Sequence, residues 1–224
     1  MSDKEPIAWI TRGGKHIPIF DEDYEPNKED QIEKNKKQAD KLNKESGSKS
    51  NSLEDKYKNI NPNFKKDASS LDKDGWNNNC VKCALAFEAN MRGEDVSANP
   101  YKFGQLGERD MSKQVYKAFG QKQGDMWNVG RSKKEDTVRE IELMMTEDWG
   151  KGSRAIIQED VGGKSHTMNV INDNGKVIIV DAQSGKHGSV KDMLKGVNTK
   201  SMIMFRTDDL KMDSTYSEWA YKKR

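Results

Sequence analysis

Cys80 is the residue of this sequence best placed to do chemistry. A cysteine acts as a nucleophile only as its thiolate, and a helix start, with its partial positive charge and free N–H groups, lowers the thiol pKa. Residues 80–92 carry Val81, Ala84, Leu85, Glu88 and Arg92 on a helical period. They follow the capping asparagines 77–79 and stop at Gly93, so a helix beginning at Cys80 is expected. The same free N–H groups suit a developing oxyanion, and a side-chain amide from Asn78 or Asn79 would add a donor. His166 opens one β-forming run and Asp181 closes the next, so a hairpin register would set imidazole beside carboxylate. That is the relation a Cys–His–Asp triad needs. Gln183, two residues past Asp181, would point to the same side in an extended chain, to bind a substrate carbonyl or brace the histidine.

Taken alone, each of these residues has a plainer reading. Cys80-x-x-Cys83 is compatible with a thiol redox pair, half a zinc site, or two small residues in a helix. A redox pair usually follows a βαβ-type strand, which is missing, and zinc through Cys80, Cys83, His166 and His187 would need long, irregular spacing. Cys83, one turn along the helix, is expected in the core. A lone histidine is more often structural than catalytic, and a lone aspartate more often caps a turn. His16 and His187 lie in polar surroundings with no expected chemistry. Glu88 and Arg92 form either a surface pair or an internal brace. Trp76, Trp127, Trp149 and Trp219 are read as packing or rim residues.

The elements that must hold these groups follow from the hydrophobic pattern. Residues 135–149 place Val138, Ile141, Met144 and Met145 on one helical face. The period then changes to two in 153–160, 166–172, 176–182 and 201–206, and the stretch from Asn172 to Gly175 is a strong hairpin signal. A helix followed by an antiparallel sheet is an α+β architecture. Before it, 7–20 alternate around Gly13-Gly14 as a short β-hairpin. Residues 21–74 are rich in charge, with SGSKSNS at 46–52 as a flexible linker, and Ile32, Ala39 and Leu42 make too thin a stripe for a buried helix. The expected organisation is a hairpin at 1–20, a charged linker at 21–74, a catalytic domain at 75–210 and a helical tail at 211–224.

Two blocks resemble a known family. NNNCVKCALAFEANMRGEDVSANP (77–100) is similar to the N-C-x-x-C, A-x-E, R-G-x-D-V-x-A block of the papain-fold toxins, the glutamine-deamidase type of polymorphic and phage-associated toxins. GGKSHTMNVINDNGKVIIVDAQSGK (162–186) resembles that family's histidine block and its D-P-Q-[ST]-G signature. The resemblance implies a papain-like cysteine hydrolase fold with Cys80 as nucleophile, His166 as general base and Asp181 as the orienting carboxylate. It also implies a thioester intermediate and conversion of a protein glutamine to glutamate, or cleavage of a peptide or isopeptide bond. No metal or cofactor is implied. Ser165 stands where the family has glycine, and Ala182 replaces the proline before Gln183, which loosens the turn that places that glutamine. WITRGGKHIPI at 9–19 is similar to a segment of phage minor head proteins, and INPNF at 60–64 to the lead-in of such modules. They imply docking of residues 7–20 to a phage head, portal or delivery protein, and a toxin of this kind implies an immunity protein.

Composition bounds these readings. Of 224 residues, 33% are hydrophobic and 34% charged, and the mean hydropathy of −1.04 leaves part of the chain short of apolar material for a core. Lys+Arg 39 against Asp+Glu 37 gives a net charge of +2 with both signs interspersed, which argues against a nucleic-acid partner. No window approaches a membrane span and the N-terminus lacks a signal-peptide pattern, so a soluble protein is expected, in the cytoplasm of a producing or target cell or on a virion. Two cysteines three apart cannot make a disulfide framework. Three functions compete: a toxin deamidating a protein glutamine, a protease or isopeptidase of the same fold, and a non-enzymatic phage head-associated protein.

Overall fold

The computed structural model describes residues 8–12, 15–19, 52–65, 74–101, 111–120, 126–161, 164–213 and 219–224. They fall into two units, residues 1–50 and residues 51–224. In the first, β1 (Ala8–Arg12) and β2 (Lys15–Ile19) pair antiparallel, with Arg12 opposite Lys15.

The second unit is built on a six-stranded antiparallel sheet. Its strands are β4 (Trp127–Asn128), β5 (Arg154–Val161), β6 (Lys164–Asp173), β7 (Lys176–Asp181), β8 (Lys186–Ser189) and β9 (Asn198–Arg206), in the order β4-β9-β5-β6-β7-β8. The β6–β7 hairpin turns at Asn174 (φ 53°) and Gly175 (φ 97°), the left-handed pair that the Asn-Gly signal requires. Both faces are covered. Ile156, Ile171, Ile178 and Phe205 pack into one core with helix α2 (Cys80–Met91). Ala155, Ile157, Val170, Ile179 and Met204 pack into another. That second core is closed by α4 (Lys134–Leu143), its π-helical continuation Met144–Asp148, and α5 (Val190–Met193). A sheet covered on both faces explains strand sequences that are nearly all apolar, such as KVIIV.

Helix α2 is buried on every side from Val81 to Asn90. A helix so enclosed is central to its domain, and its fully buried Leu85 and Phe87 each contribute about 2–3 kcal/mol of burial. On its far side pack α1 (Leu53–Tyr57), α3 (Met111–Phe119), and the pair of β3 (Val96–Ala98) with β10 (Tyr221–Lys223). The fold is the papain-like α+β arrangement, a central helix packed on an antiparallel sheet.

Two expected boundaries are corrected. Residues 52–65, inside the stretch expected as linker, are packed: Ser52 and Asp55 form a reciprocal capping box for α1, and Tyr57 and Ile60 enter the core. One helical turn with two scattered apolar residues shows no period in a sequence. The segment expected as a helical tail instead ends in a strand, because β3 offers an edge to which Tyr221 and Lys223 pair opposite Ala98 and Val96. Residues 20–51 and the Gly13-Gly14 turn lie outside the described residues. Among the described residues no helix is long and apolar enough to cross a membrane.

Candidate active site

Asn79 is the N-cap of α2, yet its side chain makes no capping bond. Its Nδ2 donates to Asn99 O at 3.1 Å and Asn61 Oδ1 at 3.3 Å, while its Oδ1 accepts from Asn61 Nδ2 at 3.2 Å. Both amide hydrogens of Asn79 are thus engaged in joining α2 to the loops around it, so they are not donors in waiting for an oxyanion. Asn78 is half-buried.

The free backbone N–H groups of the helix start are met by Gln183. With its carboxamide oxygen turned inward, Gln183 accepts from Asn79 N at 3.0 Å and Cys80 N at 3.1 Å. Asn79 Oδ1, 3.1 Å away, favours the reverse orientation, but two backbone donors outweigh one acceptor. The buried Gln183 side chain therefore caps α2 and does not brace His166. Asn61 holds it there by donating to Gln183 O at 3.1 Å.

Cys80, His166 and Asp181 are brought together. His166 Nε2 lies 3.3 Å from Asp181 Oδ2, and the Cys80 thiol hydrogen-bonds with His166 and with the backbone and hydroxyl of Thr167. With Nε2 turned to the carboxylate, Nδ1 is the ring nitrogen left for the thiol. Asp181 is itself fixed by a local turn: Oδ1 accepts from Gln183 N at 3.1 Å and Ser184 N at 3.3 Å, and Oδ2 from Ser184 Oγ at 2.5 Å. Ser184, Thr167 and Asn61 are members that sequence reasoning passed over, although Ser184 carries a signal as the third residue after an aspartate that ends a strand.

The electrostatics follow from these contacts. Burial alone would raise the Cys80 thiol, but the hydrogen bond and charge of His166, then the bonds to Thr167, bring it below its ordinary value. Burial would lower His166; its bonds to Asp181 and Cys80 outweigh that and hold it well above the usual imidazole value. Burial would raise Asp181, and the bond and charge of His166 with the Ser184 bonds bring it below the usual carboxylate value. The result favours a thiolate–imidazolium pair oriented by an ionised carboxylate. Cys83, 1% exposed in the core, is pushed well above its ordinary value by burial and then by Cys80 and Asp181.

The remaining candidates find other work. His187 Nδ1 bonds Tyr57 Oη at 2.7 Å. Among the described residues no cluster of His, Cys, Asp and Glu is placed to hold a metal ion. Glu88 and Arg92 are the internal brace of the two readings left open, because Glu88 is fully buried against Arg92 and Arg154. Trp149 packs edge-on to Trp127 and lies under Arg206.

Residues 78–186, a little under half of the chain, match the family model described as papain fold toxin 1, glutamine deamidase. The matched span contains Cys80, His166, Asp181 and Gln183. Comparison with curated proteins and with solved structures gives no match.

Proposed function

We propose that the chain is a toxin-type cysteine hydrolase that deamidates a glutamine side chain of a protein. The observation that carries this reading is a thiol at a helix start, lowered in pKa and hydrogen-bonded to a histidine that is paired with a buried carboxylate, within the span similar to glutamine deamidases.

The Cys80 thiolate attacks the carboxamide carbon, and the negative charge that develops on oxygen is received by the N–H groups of Cys80 and Asn79. Gln183 covers those donors with the same functional group as the substrate, so the incoming carboxamide replaces one amide oxygen by another. As the C–N bond breaks, the His166 imidazolium gives its Nδ1 proton to the departing nitrogen, releasing ammonia and leaving a thioester on Cys80. His166 then takes a proton from water, whose oxygen attacks the thioester carbon. The C–S bond breaks, glutamate leaves and the thiolate is restored. Asp181 keeps its bond to Nε2 throughout, fixing the ring and stabilising its charged form.

The test is to express the wild-type chain and Cys80→Ala in cells and compare growth, then to weigh candidate target proteins intact. Wild type is expected to arrest growth and to convert an amide to an acid in a target, with Cys80→Ala doing neither. Equal tolerance of the two chains counts against a toxin, and backbone or isopeptide cleavage in place of amide-to-acid conversion reassigns the enzyme as a protease.

A further inference from the structure

The middle strand of the site, β6, has a second acid beside it. The sheet order places β6 between β5 and β7. On the β5 side Glu159 is the direct partner of His166. On the β7 side the register runs Asn169 opposite Val180, so Asp181 falls opposite Met168, two residues along β6 from His166 on the same face. Directly opposed residues on one face bring their Cβ atoms within about 4.5–5.5 Å. The imidazole therefore stands in a row, with a carboxyl group on each side.

Glu159 is 5% exposed, and among the described residues its buried Oε2 has no hydrogen-bond partner. A buried carboxyl oxygen left unsatisfied is destabilising, a penalty that glutamate has no packing reason to carry. The neighbour of β5 on the other side, β9, bulges there: residues 199–202 stand against Glu159 alone, while β5 keeps its pairing with β6 throughout. Of β9, Asn198 and Ile203 bracket Glu159 without charge, and the one cation between them, Lys200, is exposed.

We infer that Glu159 is a positioning residue for the proposed reaction: it confines the His166 imidazole from the side opposite Asp181 and supplies a second negative charge to the imidazolium. This rests on the cysteine-hydrolase reading above. The titratable groups acting on Glu159 are His166 from β6 and Asp181 from β7, and through His166 it is linked to Cys80 at the start of α2. Burial raises Glu159 above the ordinary glutamate value, the His166 charge works against that rise, and Asp181 adds to it. Glu159 is consequently neutral at acid pH and ionised at higher pH. Ionised, it opposes loss of the imidazolium proton and so extends the thiolate–imidazolium pair upward in pH.

The experiment titrates His166 by NMR in the full chain and, in parallel, the alkylation of Cys80 by iodoacetamide, for wild type, Glu159→Gln, Glu159→Asp and His166→Ala. Glu159→Gln is expected to lower the His166 pKa by about one unit, a tenfold change in the protonation equilibrium, and to bring down the upper limb of the alkylation profile with it. Glu159→Asp, which withdraws the charge by one methylene, is expected to give a smaller fall in the same direction. It carries the test by itself if the glutamine variant does not fold. An unchanged or raised His166 pKa in the folded variants overturns the assignment. His166→Ala separates this failure from a deeper one. Slower alkylation of Cys80 at neutral pH in His166→Ala with an unaffected Glu159→Gln discards Glu159 alone, whereas an unaffected His166→Ala overturns the cysteine–histidine reading together with it.

Discussion

Helix α2 holds buried charge near both ends, and the two groups are assembled on different terms. Toward the C-terminal end, Glu88 is fully buried with Arg154 Nε at 3.3 Å and Arg92 Nη2 at 3.5 Å. Arg92 reaches on to Thr207 O at 2.6 Å and Leu210 O at 3.0 Å, which ties the segment after β9 to the helix. At the N-terminal end Cys80, a partly exposed residue, bonds His166 and Thr167, and His166 in turn pairs with Asp181. The first group matches one carboxylate with two cations and locks distant backbone together. The second holds an acid, a base and a thiol whose protons can still be exchanged. Removing one partner from a buried ionic cluster leaves uncompensated charge, whereas a cluster whose members shift one another's pKa values is available for chemistry.

The contrast can be broken most forcefully at Glu88. Glu88→Ala leaves two guanidinium groups facing a vacated carboxylate site, and is expected to cost about 3–5 kcal/mol in urea unfolding, while the alkylation rate of Cys80 per folded molecule stays at the wild-type value. A folded Glu88→Ala protein with an ordinary cysteine pKa would show that the two ends are one unit. At the other end the expected pattern is reversed. Thr167→Val keeps the shape of a buried side chain but removes the hydroxyl that bonds the thiol. It should raise the Cys80 pKa by about one unit, or about 1.4 kcal/mol, with little change in the urea midpoint. A shift in stability without a shift in thiol pKa would place Thr167 with the structural group.

Much of the N-terminal end of α2 and its partners is legible because the signals are local. Asparagines before an apolar run and a glycine after it mark α2, and Asn174-Gly175 marks the hairpin that carries His166 and Asp181 on neighbouring strands. What failed to show depended on partners distant in the chain. Gln183 caps a helix 104 residues earlier, a job that neither segment announces. Tyr57 and Ile60 are buried by elements whose own sequences give no sign of them, so composition alone makes the charged stretch linker to its end. The last residues form a strand only because β3 presents an edge. Glu159 is a different case. Val161 pairs with Lys164 and hence Glu159 with His166, a register that follows from counting outward on both sides of Gly162-Gly163 in the sequence.

The central claim is that His166 holds the Cys80 thiol below its ordinary pKa. Its most direct measurement is the ultraviolet thiolate absorbance of the full chain titrated with pH, compared with Cys80→Ser. A thiol of lowered pKa ionises early in the titration and is reprotonated only as the pH falls through that lowered value. The expected curve therefore has two steps. One lies below the ordinary cysteine range and vanishes in Cys80→Ser, and one lies well above it and belongs to the buried Cys83. A curve with no step below the ordinary range, or one whose early step survives in Cys80→Ser, would contradict the account.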